Sequence, residues 1–424
     1  MRPFLTFRCA TSVALLVLFS AREAVSYSVL THEAIIDSVW DTSIKALLLK
    51  RFPDATAEEL TAAHAYAYGG SIIQDMGYCP FGSRLFSDLL HYVRSGDFVL
   101  SLIRNSQDLN EYAFSLGALA HYAADNAGHP GAVNQAVPLL YPKLRLQFGD
   151  RVTYADDALS HVRTEFGFDV LQVAQGHYAP DGYRAFIGFQ VARPVLERAF
   201  QETYGMHLDQ VFTSISLAIG SYRRSVGSVI PAMTRVAWRM KKDEIVKDAP
   251  GVTRKKFLYN LSRSSYNKNW GNEYERPGKR SMVLTFFMRL VPRVGRSRDL
   301  AFRTPTPPAE KLFMASFNTT LDRYRELLAA QKEGRLELPN QNFDMGEPTV
   351  AGEYKLSDHA YDVLLGKLVG HYADIPPELR LDILAFYGDL SAPISTKIDG
   401  PEWAKVIKEL EELKAATLGA SLRQ

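Results

Sequence analysis

The run Tyr112-Ala-Phe-Ser-Leu-Gly-Ala-Leu-Ala-His121-Tyr-Ala-Ala-Asp125-Asn-Ala-Gly-His129 carries two signals at once. From Tyr112 to Tyr122 its apolar residues recur at three-to-four spacing, the period of a helix and not of a strand. His121 and Asp125 stand four residues apart, so on a helix they lie one above the other and present an imidazole and a carboxylate to one point. Gly128 and Pro130 flank His129, so the helix is expected to end there, with His129 reaching back from a turn.

Working outward, the same pairing returns in His161-Val-Arg-Thr-Glu165, while Asp75 lies sixteen residues before His91 and His32 sits further upstream. A lone His or Asp on a helix is most simply a satisfied polar residue. Two His-x-x-x-carboxylate pairs with three further candidates point instead to more than one metal ion. Helical periodicity also marks Glu33 to Trp40, Leu85 to Val93, Arg193 to Phe200, Ala360 to Leu368 and Glu402 to Lys414. Alternating strand-like runs are scarce, so the expected fold is all-α. There is no Gly-x-Ser-x-Gly elbow, P-loop or Gly-x-Gly-x-x-Gly. His32-Glu33 begins like a zincin motif, but Ile36 stands where its second His belongs. Cys79, near Asp75, reads as an ordinary buried cysteine.

Composition sets the boundaries. A chain of 424 residues with 46% apolar residues and 49 basic against 47 acidic residues is globular and has enough length for a sizeable core. Arg2 and Arg8 precede an apolar run from Cys9 to Ala21, and Ala24-Val25-Ser26 supplies small residues at a cleavage site, so residues 1–26 read as a secretory signal peptide. Its removal leaves one cysteine, Cys79, and hence no intrachain disulfide; metal becomes the expected staple. The net charge of +2 conceals three blocks. Residues 27–238 carry 16 basic and 21 acidic residues, 239–303 carry 17 and 6, and 304–424 carry 13 and 19. These become the expected units: a catalytic domain (27–238), a basic, partly amphipathic segment (239–303) and a helical C-terminal region (304–424) that opens with Thr304-Pro305-Thr306-Pro307-Pro308.

On its His and carboxylate pattern, about residues 27–235 resemble the zinc-dependent phospholipases C, whose metal site is shared with the S1/P1-type nucleases. The resemblance implies a multi-helical phospholipase C/P1 nuclease-like catalytic domain with a helical C-terminal extension. It also implies two or three zinc ions. One would take Asp75, His91, His121 and the bridging Asp125; a second, His129, His161 and Glu165; a third, the α-amino group and carbonyl of the mature first residue, Tyr27, with His32 and Asp125. Cleavage after Ser26 makes Tyr27 first and His32 sixth, so the signal-peptide rule and the ligand spacing agree on one bond. The spacing from Asp125 to His129 is shorter than the family's usual one, and Tyr27 stands in place of Trp. Met76 follows Asp75 where choline-cleaving members place an aromatic residue, which leaves a choline headgroup without that aromatic face.

What the resemblance implies about chemistry is metal-activated attack of water on a phosphodiester, with Asp125 as the bridge and Asp75 as a ligand that also serves as general base. Glu165 matches the phospholipase side, since the nucleases place Asp there, and the six-residue N-terminal spacing matches the nuclease side. The expected activity is therefore a phospholipase C releasing diacylglycerol and a phosphorylated headgroup. The alternatives are an S1/P1-type single-strand nuclease and a non-catalytic, zinc-stabilised lipid- or partner-binding protein. Met282 to Val291 is strongly apolar and is flanked by Lys279, Arg280, Arg293, Arg296 and Arg298. Residues 279–298 are thus a candidate contact for an anionic membrane surface, set against a packed helix with solvated charges and against nucleic-acid phosphates. The expected location is secreted or periplasmic. Mass spectrometry of exported protein should find Tyr27 as the first residue; a start elsewhere would contradict the third ligand set.

Overall fold

The computed structural model describes residues 29–175, 188–226, 242–243, 246–247, 303–372, 375–388 and 400–421. The signal peptide, the Ser26–Tyr27 bond, Tyr27 itself and segment 279–298 lie outside the described residues. Among those described, the fold is all-α, and its only β pairing is an isolated bridge between Asn342 and Glu347.

The centre is α6 (Leu109–Gly128), which contains the stretch quoted first. Its run of alanines favours helix, and Asp108 caps its start by accepting from the Glu111 N–H at 2.8 Å. Every residue from Glu111 to Asp125 is buried. A helix apolar all round is stable only when wrapped by others, and five do so: α1 (Val29–Val39), α2 (Lys45–Arg51), α3 (Ala57–Gly70), α5 (Ser95–Asn105) and, from the far end of the chain, α12 (Pro307–Glu333).

The crossing of α3 with α6 is set by glycine. A Cβ on Gly70 would lie 1.9 Å from the Phe114 carbonyl oxygen, and one on Gly117 would lie 2.1 Å from that of Ala67. The backbones therefore meet closer than any side chain permits. This approach carries the end of α3 into the 3-10 turn Ile73–Tyr78, which holds Asp75. Next comes α4 (Arg84–Tyr92), capped by Ser83, whose hydroxyl accepts from the Phe86 N–H, and bearing His91 near its end.

Gly128 does end α6, but the chain does not turn away as expected. His129–Val133 form a π-helical turn that runs straight into α7 (Asn134–Leu140). Pro130 lacks an N–H and cannot continue the regular ladder, and the wider turn absorbs that loss. After the exposed α8 (Pro142–Phe148), α9 (Ala158–Gln175) packs on α7 and brings in His161 and Glu165. Beyond it, α10 (Arg193–Tyr204) lies on α5, and α11 (Ile215–Arg224) touches the 3-10 turn.

The described helices after residue 304 pack on this core or on one another. Along α12, Tyr324 donates to the Leu116 carbonyl at 2.8 Å and Ser316 to that of Ala127 at 3.3 Å. The loop that follows runs back across α4 and α6. Tyr122 donates to the Pro339 carbonyl (2.8 Å), and the Phe343 N–H to that of His91 (3.1 Å). Gly346, at φ 73°, makes the turn against the Asn126 carbonyl, where a side chain would be both strained and obstructed. Then α13 (Lys355–Leu368) packs on α4 and is covered by α15 (Gly400–Ser421), while α14 (Pro377–Phe386) stacks Phe386 on Tyr361. Gly117→Val should force the two helices apart and cost more than about 3 kcal/mol, at or beyond the upper end of core overpacking. Urea unfolding checks this, and a loss under about 1 kcal/mol would contradict the glycine crossing.

Candidate metal centre

Asp125 sits at the bottom of the last turn of α6, wholly buried, with imidazoles on every side. Its Oδ1 lies 3.6 Å from His32 Nε2 on α1. Its Oδ2 lies 3.1 Å from His121 Nε2, one turn earlier on the same helix, and 3.5 Å from both His91 Nε2 and His129 Nε2. His91 Nε2 is also 3.4 Å from Asp75 Oδ1. On the far side of His129, whose ring stacks on that of His161 at 5.3 Å, His161 Nδ1 meets Glu165 Oε1 at 2.9 Å.

Three sets emerge whose donor atoms lie within 4.8 Å of one another: His32, His121 and Asp125; Asp75, His91 and His121; His129, His161 and Glu165. Eight of the nine residues singled out from the sequence thus converge, and Tyr27 is outside the described residues. His121 belongs to two sets, and its ring stacks on His32 at 4.5 Å, a sharing the linear spacing does not reveal. Cys79 joins none of them, and it is half-buried instead of buried.

These sets fit zinc on two physical grounds. Two donors each about 2.0–2.1 Å from one zinc at a tetrahedral angle lie about 3.3 Å apart, and the separations above run from 2.9 to 3.6 Å. Moreover, both Asp75 oxygens, His91 Nε2, His121 Nε2 and Glu165 Oε2 are buried and make no hydrogen bond among the described residues. Burying such groups unsatisfied costs several kcal/mol in sum, and a divalent cation is what carboxylates and imidazole lone pairs together satisfy.

The histidines are held in the matching tautomers. The Nδ1–H of His91 points to the Ser87 carbonyl (2.8 Å) and that of His121 to the Ser71 carbonyl (2.9 Å), leaving each Nε2 with its lone pair facing the carboxylates. At His161 the roles are reversed. Asn134 donates its Nδ2 to the Asp344 carbonyl, so its Oδ1 faces His161 Nε2 at 2.8 Å. That oxygen only accepts; the proton is on Nε2, and Nδ1 turns its lone pair toward Glu165.

Electrostatics without a cation are correspondingly tense. Burial, then the neighbouring imidazoles His121 and His129, act on His32 and hold it well below the usual histidine range. Burial and then His129 push His161 down to about 3. For His91 and His129 burial also works downward, but contacts with Asp125, joined at His91 by Asp75, prevail; His91 is raised and His129 reaches about 9. Burial would raise Asp125, yet His121 and His129 hold it well below the carboxylate range, whereas burial raises Glu165 despite His129.

Residues 31–214 match the family model for zinc dependent phospholipase C. Over these residues the chain is similar to the zinc-dependent phospholipase C family. No curated protein and no solved structure matches it. The eight converging residues, from His32 to Glu165, all fall inside the matched segment of this family. Some of their neighbours do not. Asp344, Phe343 and Tyr354 come from the C-terminal region, and neither they nor Asn134, Tyr78 and Tyr154 stood out in the sequence. Phe343 is fully buried, with its ring 5.3 Å from His91 and 6.0 Å from His121. Tyr78 and Tyr154 flank His91 and His161, each at 5.8 Å. Aromatic residues outside a His or carboxylate motif carry no spacing signal that marks them.

Zinc at 100 times its Kd stabilises by about 2.7 kcal/mol per site, so calorimetry should show a midpoint several degrees higher with zinc than with chelator. The increment should shrink at pH 5, where protons compete for the imidazoles. His121→Ala removes the ring shared by two sets and should lose most of the rise. Equal wild-type midpoints with and without zinc would contradict a metal centre.

Proposed function

We propose that this chain is an exported phospholipase C that uses two or three zinc ions to release diacylglycerol and a phosphorylated headgroup. The match to the family model supports a phospholipase C-type phosphodiesterase at the level of the family. The observation that carries the finer reading is Asp125, whose two oxygens face different histidines: Oδ1 toward His32, Oδ2 toward His91, His121 and His129. A carboxylate so placed would offer one oxygen to each of two adjacent metal sites.

When bound, zinc supplies an activated water, neutralises phosphoryl oxygens and stabilises the departing alkoxide. The chain's part is orientation. Asp75, its oxygens buried beside His91 Nε2, accepts the proton of the attacking water at its carboxylate. His129, His161 and Glu165 face the leaving-group side. Tyr78, Tyr154 and Phe343 restrict water around the histidines, which strengthens every charge interaction among them. Met76, fully buried in the core, offers no face to a headgroup, so the preference follows from groups other than an aromatic cage at that position. Tyr27, freed by cleavage after Ser26, would complete the His32 set, and segment 279–298 would hold the enzyme to an anionic membrane.

Four substrates assayed in parallel with and without chelator test this: phosphatidylcholine, phosphatidylethanolamine, phosphatidylinositol and single-stranded nucleic acid. Diacylglycerol should appear only with metal present. Asp125→Asn and Glu165→Gln should each lower kcat/KM by about 10³-fold, the loss of several kcal/mol of charge stabilisation. Cleavage of nucleic acid alone would assign the nuclease reading, and full activity in either variant would overturn the ligand roles.

A further inference from the structure

We propose that Asp344 is a positioning residue for the His129, His161 and Glu165 set, so that the C-terminal region, outside the family segment, completes the centre. The inference rests on the zinc reading above and extends it to a residue that no part of the ligand pattern contains.

Asp344 acts on both histidines of the set through different atoms. Its side chain is buried, and Oδ2 accepts from Tyr92 OH at 2.8 Å and Tyr354 OH at 2.6 Å. Those two bonds turn Oδ1 toward His129 Nδ1, 3.9 Å away. A carboxylate on that side favours the proton on Nδ1 and leaves the Nε2 lone pair facing Asp125 Oδ2 at 3.5 Å. The main-chain carbonyl of the same residue accepts from Asn134 Nδ2 at 2.8 Å. That bond fixes the amide so that its oxygen meets His161 Nε2, which presents Nδ1 to Glu165. Asp344 thereby selects Nε2 as the donor of His129 and Nδ1 as the donor of His161.

The residue is itself rigidly placed. Asn342 Oδ1 accepts from the N–H groups of Asp344 (2.9 Å) and Met345 (3.2 Å), the Phe343 N–H is bound to the His91 carbonyl, and Gly346 closes the turn. Residues 342–346 are therefore a template built against α4, α6 and α7, and orienting partners of this kind govern metal affinity 10–100-fold.

The test uses the full processed chain and zinc itself as probe, comparing wild type with Asp344→Asn and Tyr354→Phe. Wild type is measured first: zinc bound per chain under graded chelator, and the absorption spectrum of the cobalt-substituted protein. Binding of no zinc by wild type would overturn the metal reading and this inference with it, before any variant is considered. Given bound zinc, Asp344→Asn should weaken one zinc 10–100-fold and shift the cobalt spectrum, leave the other zinc in place, and lower kcat more than KM, with the chelated protein unfolding within a few degrees of wild type. Tyr354→Phe should weaken the same zinc several-fold, and it carries the test should Asp344→Asn not fold. Unchanged zinc affinity and cobalt spectrum in the variant that folds would overturn the role of Asp344 while leaving the metal centre intact. So would equal weakening of every zinc together with a collapse in the stability of the chelated protein.

Discussion

The carboxylate of Asp125 is the constraint to which the rest of the structure answers. A buried carboxylate ringed by four imidazole nitrogens 3.1–3.6 Å away is poorly satisfied by the protein alone, since neutral imidazoles meet it with lone pairs or with protons that their other contacts require. Two of those rings, His91 and His121, already commit Nδ1–H to main-chain carbonyls. The fold has in effect chosen lone pairs. That choice suits a centre completed by cations, with the buried acid set in the last turn of a helix of strong propensity.

Much of this was legible in the chain because helices convert sequence spacing into geometry. His121 and Asp125, or His161 and Glu165, need no tertiary information to share a face; an i, i+4 offset suffices. The all-α class was legible for the same reason. The assembly of the pairs was not. That His121 serves two sets depends on the crossing of α3 with α6, and the determinant there is a pair of glycines, Gly70 and Gly117, whose importance lies in what they lack. The course of the chain beyond Gly128 was also misjudged, because glycine and proline together usually stop a helix, whereas a π-helical turn accommodates Pro130 without a break.

The orienting shell was illegible for a different reason. A ligand needs a particular element, so it leaves a mark as a His or carboxylate. A partner that orients a ligand needs only a carbonyl, and Ser71, Ser87 and Asp344 all use theirs. Any residue supplies that atom. Asp344 in addition lies 215 positions after His129, beyond a segment whose composition differs sharply from both flanks, so neither local periodicity nor charge patterning links the two.

The C-terminal region therefore has a physical role before any partner is invoked. Tyr324 and Ser316 tie α12 along the side of α6, the 339–345 loop crosses its end, and Phe343 closes the space beside His91 and His121. A metal centre with its histidines 0–1% exposed must have a cover, and in this chain part of that cover is contributed from outside the segment that carries the ligands. The domain anticipated from the resemblance and the residues after 304 meet beside the clustered histidines. Separation at the Pro-rich stretch near Thr304 would strip Phe343 from the ligands and Asp344 from His129 and Asn134, exposing apolar surface on α6 and leaving two ligand tautomers unselected. Buried residues of both regions belong to one apolar core.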